Sequence, residues 1–190
     1  MKRFDFKEIL EITFRLYVFF FLTAYGVGKV IGAQFYTAAS MPEGLDLIPI
    51  GQVSDFDLAW VFMGRSYGYM LFIGLAEVFG AILLLSNKTK LIGTLILIPI
   101  MANVIVFDIF FLDEYGALAG ATLYLFMLIT ILFINKEKMI AIFNNLINNK
   151  KTLKTSSKDK IYKYLIVVAL IILIFMGDQL IVNFFGYGKG

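Results

Sequence analysis

Five stretches of this chain are long and apolar enough to cross a lipid bilayer, and this pattern restricts the fold more than any other feature. A helix rises about 1.5 Å per residue, so roughly twenty residues cross a hydrocarbon core of about 30 Å. Backbone amides inside lipid must be hydrogen-bonded within their own segment, as they are in a helix. The sequence therefore predicts an all-α membrane protein with a four-helix transmembrane bundle and a fifth C-terminal transmembrane helix. The predicted spans are residues 12–35, 67–86, 91–112, 115–134 and 164–185.

The distribution of Lys and Arg predicts the orientation of these spans. Residues 1–15 hold four such residues, 87–90 hold two and 135–163 hold eight, whereas the intervening connections contain Arg65 and Lys189 alone. Positive residues accumulate on the cytoplasmic side of membrane proteins. We therefore expect a cytoplasmic N-terminus, an outside C-terminus and a location in the inner, cytoplasmic membrane of a cell. Because the positive charges flank apolar spans, we expect no nucleic-acid binding.

Polar stretches divide the chain into parts. Residues 1–147 are expected to form the four-helix unit, with an outer loop at 36–66 and an amphipathic helix at 136–149. This amphipathic helix should lie on the cytoplasmic surface, because its apolar side chains fall on one face. A basic linker at 148–163 then leads to the fifth helix and tail at 164–190.

The outer loop contains the pattern of a short helix. Ser54 is followed by Asp57 and then by the apolar run LAWVFMG, as expected for a helix N-cap with an acidic first turn. Trp60 suits the boundary between lipid and water. We expect this helix to lie on the outer leaflet and the loop to cover the outer mouth of the bundle.

Polar residues inside the apolar spans form a predicted polar seam. A charge at such depth costs on the order of 2.5–3.5 kcal/mol on insertion scales. Counting helical rise from the cytoplasmic ends places Lys29 and Asp108 both about 25 Å up, with Glu77 in a layer below. A buried ion pair of Lys29 and Asp108 is the simplest arrangement that lowers these costs, and Glu77 is the alternative partner of Lys29. Ligand binding and helix association both remain open as the role of the seam, whose members are Lys29, Glu77, Asn103, Asp108 and Asp178.

Glycines within the spans predict close helix packing. The absence of a side chain lets neighbouring backbones approach each other in a membrane. The predicted packing positions are Gly26, Gly74, Gly80, Gly116 and Gly120.

The chain has no cysteine and no histidine. Their absence excludes a disulfide framework, a thiol relay, a Cys/His zinc site, an iron–sulfur cluster and the usual haem ligation. We therefore expect no cofactor that is bound covalently or through metal ligands, and a quinone or a lipid remains the candidate ligand. A redox role would need such a diffusible quinone or a redox centre on another subunit.

The first two spans resemble those of the DoxX family of small membrane proteins. Arg15, Gly26 and Lys29 match the family's pattern R-x(10)-G-x(2)-K in the first helix. The second helix continues as AEVFGAILLLSNKTKLIGTLIL, with Glu77 and Gly80 where the family usually has a glutamate and a glycine before a leucine-rich run and a basic turn. The resemblance covers the four-helix unit, whereas the longer outer loop and the fifth helix depart from it.

This resemblance implies a role beside other membrane proteins. The DoxX family is named for a subunit associated with an archaeal quinol oxidase and thiosulfate:quinone oxidoreduction, and many members look like accessory or assembly partners. The helical layout is also similar to that of vitamin K-type thiol-quinone reductases, which depend on cysteines that this chain lacks.

Three functions follow as hypotheses. The first is a non-catalytic accessory or assembly subunit of a larger bacterial inner-membrane complex, with lipids and other integral membrane subunits as partners. The second is a component of a quinone-linked oxidoreductase in which Glu77 transfers a proton. The third is a small transporter or channel that uses the same polar seam.

Overall fold

The computed structural model describes residues 5–112, 115–147 and 157–185, whose regular elements are all helical. Five of the helices are long and apolar enough to cross a membrane. The prediction of an all-α, multi-pass membrane protein is confirmed, and the orientation of the termini stays a prediction. The helices are α1 (Phe6–Val30), α2 (Asp55–Gly64), α3 (Tyr67–Leu85), α4 (Lys90–Phe111), α5 (Tyr115–Ile134), α6 (Lys136–Ile147) and α7 (Ser157–Phe185), with 3₁₀ turns at Leu45–Leu47 and Ile50–Gln52.

Helix α1 is shifted toward the N-terminus relative to the predicted first span. It begins at Phe6 because the Asp5 side chain caps it, accepting a hydrogen bond of 3.0 Å from the Lys7 amide. It ends at Val30 because Gly32 adopts a φ of 72°, a left-handed conformation that closes helices. Hydropathy detects the apolar centre of a helix and misses a polar first turn of this kind.

Helices α1, α3, α4 and α5 pack side by side in what we call the helix ring. In this ring α1 and α4 each contact both α3 and α5. Chain direction alternates from one helix to the next, so every neighbouring pair is antiparallel. An apolar core fills the middle of the helix ring, and buried polar side chains lie toward its two ends. Buried members of this core include Val18, Leu22, Ala81, Leu84, Leu97, Met101 and Leu128.

Two pairs of glycines bring neighbouring helices into backbone contact. A Cβ placed on Gly26 of α1 would lie 2.7 Å from the carbonyl oxygen of Gly74 on α3. The converse distance, from a Cβ on Gly74 to the carbonyl oxygen of Gly26, would be 2.6 Å. A Cβ on Gly93 of α4 would lie 2.7 Å from the carbonyl oxygen of Gly80 on α3. A larger residue at these contacts would force the backbones apart.

We expect Gly26→Ala to lower the free energy of unfolding by about 1–3 kcal/mol, the usual range for overpacking. The added methyl group would meet the Gly74 backbone and the Val78 side chain, so α1 and α3 would have to separate. Gly28→Ala is the matched control, since a Cβ there meets no described atom within 4 Å. Unfolding in mixed micelles with increasing sodium dodecyl sulfate would measure both variants. Equal unfolding midpoints would contradict the expectation.

A buried polar cluster joins the helices at the end of the ring where α1 begins. We call it the Glu11 cluster, and it comprises Glu11, Arg15, Lys90 and Asn135, each 9% exposed or less. Glu11 forms ion pairs with Arg15, at 3.4 Å, and with Lys90 of α4. Its other carboxylate oxygen accepts a hydrogen bond of 3.1 Å from Asn135, at the end of α5. One carboxylate on α1 thus connects to both α4 and α5.

Arg15 extends this cluster to the end of α3. Its Nε and Nη2 donate hydrogen bonds to the carbonyl oxygens of Leu84 and Leu85, at 2.6 and 2.8 Å. Its Nη1 donates to Asn87 Oδ1 at 2.6 Å. We expect an arginine near the end of a span to reach the headgroups, but this one is buried. The last carbonyl groups of α3 explain the difference, because they offer acceptors and the negative end of a helix dipole.

The described residues from Ile142 onward belong to a second unit, distinct from the unit that contains the helix ring. Helix α7 begins at Ser157, inside the segment predicted as a linker, and the side chains of residues 161–181 are almost all exposed. Residues 148–156 of the predicted linker and the predicted tail at 186–190 lie outside the described residues.

Candidate functional site

The end of the ring opposite the Glu11 cluster holds a buried ion pair. Lys29 Nζ of α1 lies 2.7 and 2.6 Å from the two carboxylate oxygens of Glu77 on α3. The two residues are 7% and 3% exposed. The sequence leaves both Asp108 and Glu77 open as the partner of Lys29, with Asp108 as the simplest arrangement, and in the structure the direct ion pair is made with Glu77.

The direction of helical side chains explains this pairing. Side chains tilt toward the N-terminus of their own helix. Helices α1 and α3 run in opposite directions past the contact between Gly26 and Gly74. Lys29 follows Gly26 by three residues, and Glu77 follows Gly74 by three residues. Because the two helices are antiparallel, Lys29 and Glu77 lie on opposite sides of the glycine contact, with their Cα atoms about 9 Å apart along the helix axes. The two side chains therefore lean toward each other, an effect that depth alone does not capture.

Asp108 of α4 is a second acidic group at this end. It is 5% exposed, and its side chain makes no ion pair or hydrogen bond with the residues that the structure describes. We call Lys29, Glu77 and Asp108 the Lys29 cluster, which has one positive and two negative groups when all are ionised. Burying a carboxylate without a direct partner is costly. The cluster therefore favours an additional hydrogen-bond donor or positive charge beside Asp108.

The Lys29 cluster lines a cavity of about 250 Å³, which we call the main cavity. Gln34 also lines it, and the buried Oε1 of this residue has no hydrogen-bond partner among the described residues. A smaller cavity of about 110 Å³ shares the three cluster residues and Gln34. A largely apolar pocket with a few converging polar groups is typical of small-molecule sites. Apolar and aromatic residues of the main cavity include Leu22, Tyr25, Trp60, Met101, Val104 and Tyr124.

Gly116 and Gly120 of α5 line the main cavity, which corrects the prediction that they pack against another helix. A Cβ at Gly116 would meet no described atom within 4 Å, and one at Gly120 would lie 3.8 Å from the Tyr124 hydroxyl oxygen. Ala117 and Ala121 continue the same lining. The small residues of α5 thus provide cavity volume, whereas Gly26, Gly74 and Gly80 provide helix contacts.

The segment between α1 and α3 adds an aromatic side chain to both cavities. The predicted short helix is confirmed as α2, and the Ser54 hydroxyl accepts a hydrogen bond of 3.1 Å from the Asp57 amide. Trp60 of α2 stacks on Phe56, with ring centroids 4.3 Å apart, and meets Phe35 edge-on at 5.4 Å. Because Trp60 lines both cavities, α2 contributes to the aromatic surface of each.

The C-terminal end of α2 is fixed by the loop that follows α1. The backbone of Tyr36 lies so close to Gly64 that no Cβ could be accommodated at that position. Burial, together with the negative charge of Asp57, raises the pKa of the Tyr36 hydroxyl above its ordinary value. The phenol therefore stays neutral beside α2, where a phenolate would repel Asp57.

Asn103 and Asp178, the other two residues of the predicted seam, are both exposed. Asn103 of α4 lines the smaller cavity. Asp178 lies on α7, in the second unit, so its membership of the seam stays a prediction.

The sequence carries one signal for the ion pair that hydropathy does not use. Helix α1 contains Gly-x-x-Lys at residues 26–29, and α3 contains Gly-x-x-Glu at residues 74–77. Equal spacing from a packing glycine to an opposite charge, on two antiparallel helices, indicates a pair across the contact. No comparable signal identifies Gln34 or the Glu11 cluster, whose members come from distant parts of the chain.

The geometry determines which groups the site offers to a ligand. An ammonium group has three hydrogens, and the two carboxylate oxygens of Glu77 accept hydrogen bonds from that of Lys29. Lys29 therefore retains one donor, while Asp108 supplies acceptors. Among the described residues, no group of three or more His, Cys, Asp or Glu side chains is arranged to hold a metal ion.

Comparisons with known proteins identify one relationship. No family model matches the chain, so the resemblance to the DoxX family stays a prediction, and no solved structure matches it. The uncharacterized protein YwoB of Bacillus subtilis (strain 168) is 32% identical over 137 residues, which cover 72% of this chain and 84% of YwoB. With that identity and coverage, the chain belongs to the same family as YwoB.

Proposed function

We propose that this protein is a non-catalytic subunit of a larger inner-membrane complex and that its Lys29 cluster binds the polar group of a small amphiphile, a quinone or a lipid. Asp108 is the observation that carries the proposal. It is a buried carboxylate that lines a cavity without a direct partner among the described residues. A ligand that donates a hydrogen bond to it would relieve the desolvation cost of that carboxylate.

The composition of the main cavity supports an amphiphilic ligand. Lys29, Gln34 and Asp108 supply hydrogen-bonding groups, and residues such as Leu22 and Met101 supply apolar surface. Pockets for drug-sized molecules usually exceed about 300 Å³. A cavity of about 250 Å³ suits a headgroup or a single substituted ring, with an apolar tail directed toward the surrounding lipid.

The residue inventory supports a role as a subunit. A redox centre ligated by cysteine or histidine would have to belong to another protein, because this chain has neither residue. Mild detergent extraction from the native membrane, followed by native mass measurement, would test this part of the proposal. A particle heavier than the chain alone, containing a second protein, is the expected result, and a monomer that co-purifies with no other protein would contradict it.

A component of a quinone-linked oxidoreductase is the second candidate, and the available Asp108 carboxylate favours it. Oxidation of a quinol releases two protons and two electrons. One quinol hydroxyl could donate a hydrogen bond to Asp108 and release its proton there, and the second proton would pass to water. The electrons would pass to a redox centre on a partner subunit. Both oxygens of Glu77 already accept hydrogen bonds from Lys29, so Asp108 is the more available proton acceptor.

We expect Asp108→Asn to reduce retention of the bound amphiphile about tenfold or more, because a hydrogen bond to a charged group contributes about 1.5–3 kcal/mol. Quinones and lipids that co-purify in mild detergent would be quantified by mass spectrometry. Asp46→Asn is the matched control, because this substitution removes the same charge from an exposed position in the outer loop. Equal retention by the two variants would contradict ligand binding at Asp108.

A further inference from the structure

A separate cavity of about 380 Å³ lies at the end of the ring that holds the Glu11 cluster, and we call it the lysine cavity. Lys7 of α1 lines it together with residues 133–138, where α5 ends and α6 begins. The three lysines of the lining, Lys7, Lys136 and Lys138, come from two distant parts of the chain. Folding therefore concentrates positive side chains that the sequence separates.

Negative charge does not compensate these lysines. None of the three makes an ion pair with the described residues. Among the described residues of the lining, Glu137 is the one acidic residue, so three lysines face one carboxylate. Glu11, at the same end of the ring, is already paired with Arg15 and Lys90. The lysine cavity thus has an excess of two positive charges.

The end of α5 and the first turns of α6 offer the apolar surface that a lipid would need beside this cavity. Phe133 and Ile140 are 70% and 56% exposed. A helix that combines lysines with apolar residues of this kind typically lies in the membrane interface. Its first turn begins at Lys136, and free N–H groups in a first turn add partial positive charge.

We propose that the lysine cavity binds the phosphate of an anionic phospholipid. Charge complementarity favours this occupant, because anionic headgroups are concentrated where an interfacial helix lies and attract lysines near the membrane surface. The phosphate contacts Lys7, Lys136 and Lys138, and the lipid tails lie against the exposed side chains of Phe133 and Ile140. The lipid thereby links the first turn of α1 to the first turn of α6. This site is distinct from the Lys29 cluster, and the inference does not rest on the proposed function.

Lipid retention measured by native mass spectrometry tests this proposal. The full chain in mild detergent would be mixed with phosphatidylglycerol or with phosphatidylcholine, and the bound lipids would be counted. We expect preferential retention of phosphatidylglycerol. The triple variant Lys7→Gln/Lys136→Gln/Lys138→Gln should reduce this retention about tenfold or more. Retention that is equal for the two lipids, or unchanged in the triple variant, would overturn the proposal.

A matched variant separates the cavity from overall charge. Arg65→Gln/Lys88→Gln/Lys163→Gln removes the same net charge from exposed positions outside the lining. Phosphatidylglycerol retention should stay within about twofold of wild type in this control, because the lysines of the cavity are intact. An equal loss in both triple variants would show that net charge alone attracts the lipid, and would overturn the proposal.

Two further measurements test the proposal in other ways. The first does not depend on a loss of binding that misfolding could cause, and the second distinguishes a lipid phosphate from free phosphate. Glu137→Gln removes the one acidic side chain of the lining and should raise phosphatidylglycerol retention about threefold. An unchanged or reduced retention in that variant would contradict the proposed charge recognition. Inorganic phosphate is the second probe. If it displaces the lipid at equal concentration, the cavity is a site for free phosphate and the lipid assignment is wrong.

Discussion

Glu77→Gln is expected to lower the free energy of unfolding by about 3–5 kcal/mol, the usual cost of removing one partner from a buried ion pair. Lys29, which is 7% exposed, would lose the carboxylate that now accepts two hydrogen bonds from it. Asp108 lines the same cavity and would take over part of the pairing, so adding Asp108→Asn should deepen the loss. Unfolding midpoints in mixed micelles with sodium dodecyl sulfate would give these differences.

Two comparisons separate charge from packing in this experiment. Glu43→Gln removes an exposed carboxylate of the outer loop and should change stability by no more than about 0.5 kcal/mol. The double variant Lys29→Met/Glu77→Met removes both charges, and replacing a buried ion pair by apolar residues is often close to neutral. It should therefore recover most of the stability that Glu77→Gln loses. If Lys29→Met/Glu77→Met were as unstable as Glu77→Gln, the loss of stability would be due to packing and not to the unpaired charge.

Arg15→Met should also cost about 3–5 kcal/mol, because its guanidinium serves several buried acceptors at once. The change would leave the Leu84 and Leu85 carbonyl groups without their donors and would remove one of the cations beside Glu11. Each unsatisfied buried group costs about 1–3 kcal/mol, and more when it is charged. The same micelle unfolding assay would measure the total loss of stability. Faster amide hydrogen exchange at the end of α3 would show that the loss arises there.

The more conservative variant Arg15→Lys tests the geometry of the Glu11 cluster. A lysine keeps the positive charge but lacks the planar fork that reaches Leu84, Leu85 and Asn87 together. We expect it to recover less than half of the loss. Lys88→Met, in the exposed turn after α3, controls for removal of a positive charge at this end. If Arg15→Met were no less stable than Lys88→Met, the cluster would contribute little to the fold.

The transmembrane segments could be predicted because apolar length is a local property of the sequence. Helix α5 occupies Tyr115–Ile134, the range predicted from hydropathy, whereas α3 ends one residue earlier than predicted and α4 begins and ends one residue earlier than predicted. Helix α1 deviates further, because its first turns contain Glu8 and Glu11 and do not look like part of a span. The capping side chain of Asp5 sets that boundary, and hydropathy does not report it.

The pairing inside the site could not be predicted from depth, because depth leaves the rotation of each helix undetermined. Lys29 and Asp108 share a predicted layer, yet the close approach of Gly26 and Gly74 turns Lys29 toward α3. Glu11 illustrates the same difficulty at the other end. In the sequence Glu11 is an acidic residue near the start of a helix, with no pattern that indicates burial. It is buried because one end of α4 and one end of α5 meet α1 at this position.

Helix α5 and the three helices that carry the Lys29 cluster determine different properties of the main cavity. The charged groups of its lining are Lys29, Glu77 and Asp108, on α1, α3 and α4. Width depends on Gly116 and Gly120 of α5, where an added methyl group would occupy open space. Under the proposed ligand binding, substitutions on α5 would therefore change the size of the accepted molecule while the ion pair stays intact. Size selectivity and charge selectivity would then be separable traits of this fold.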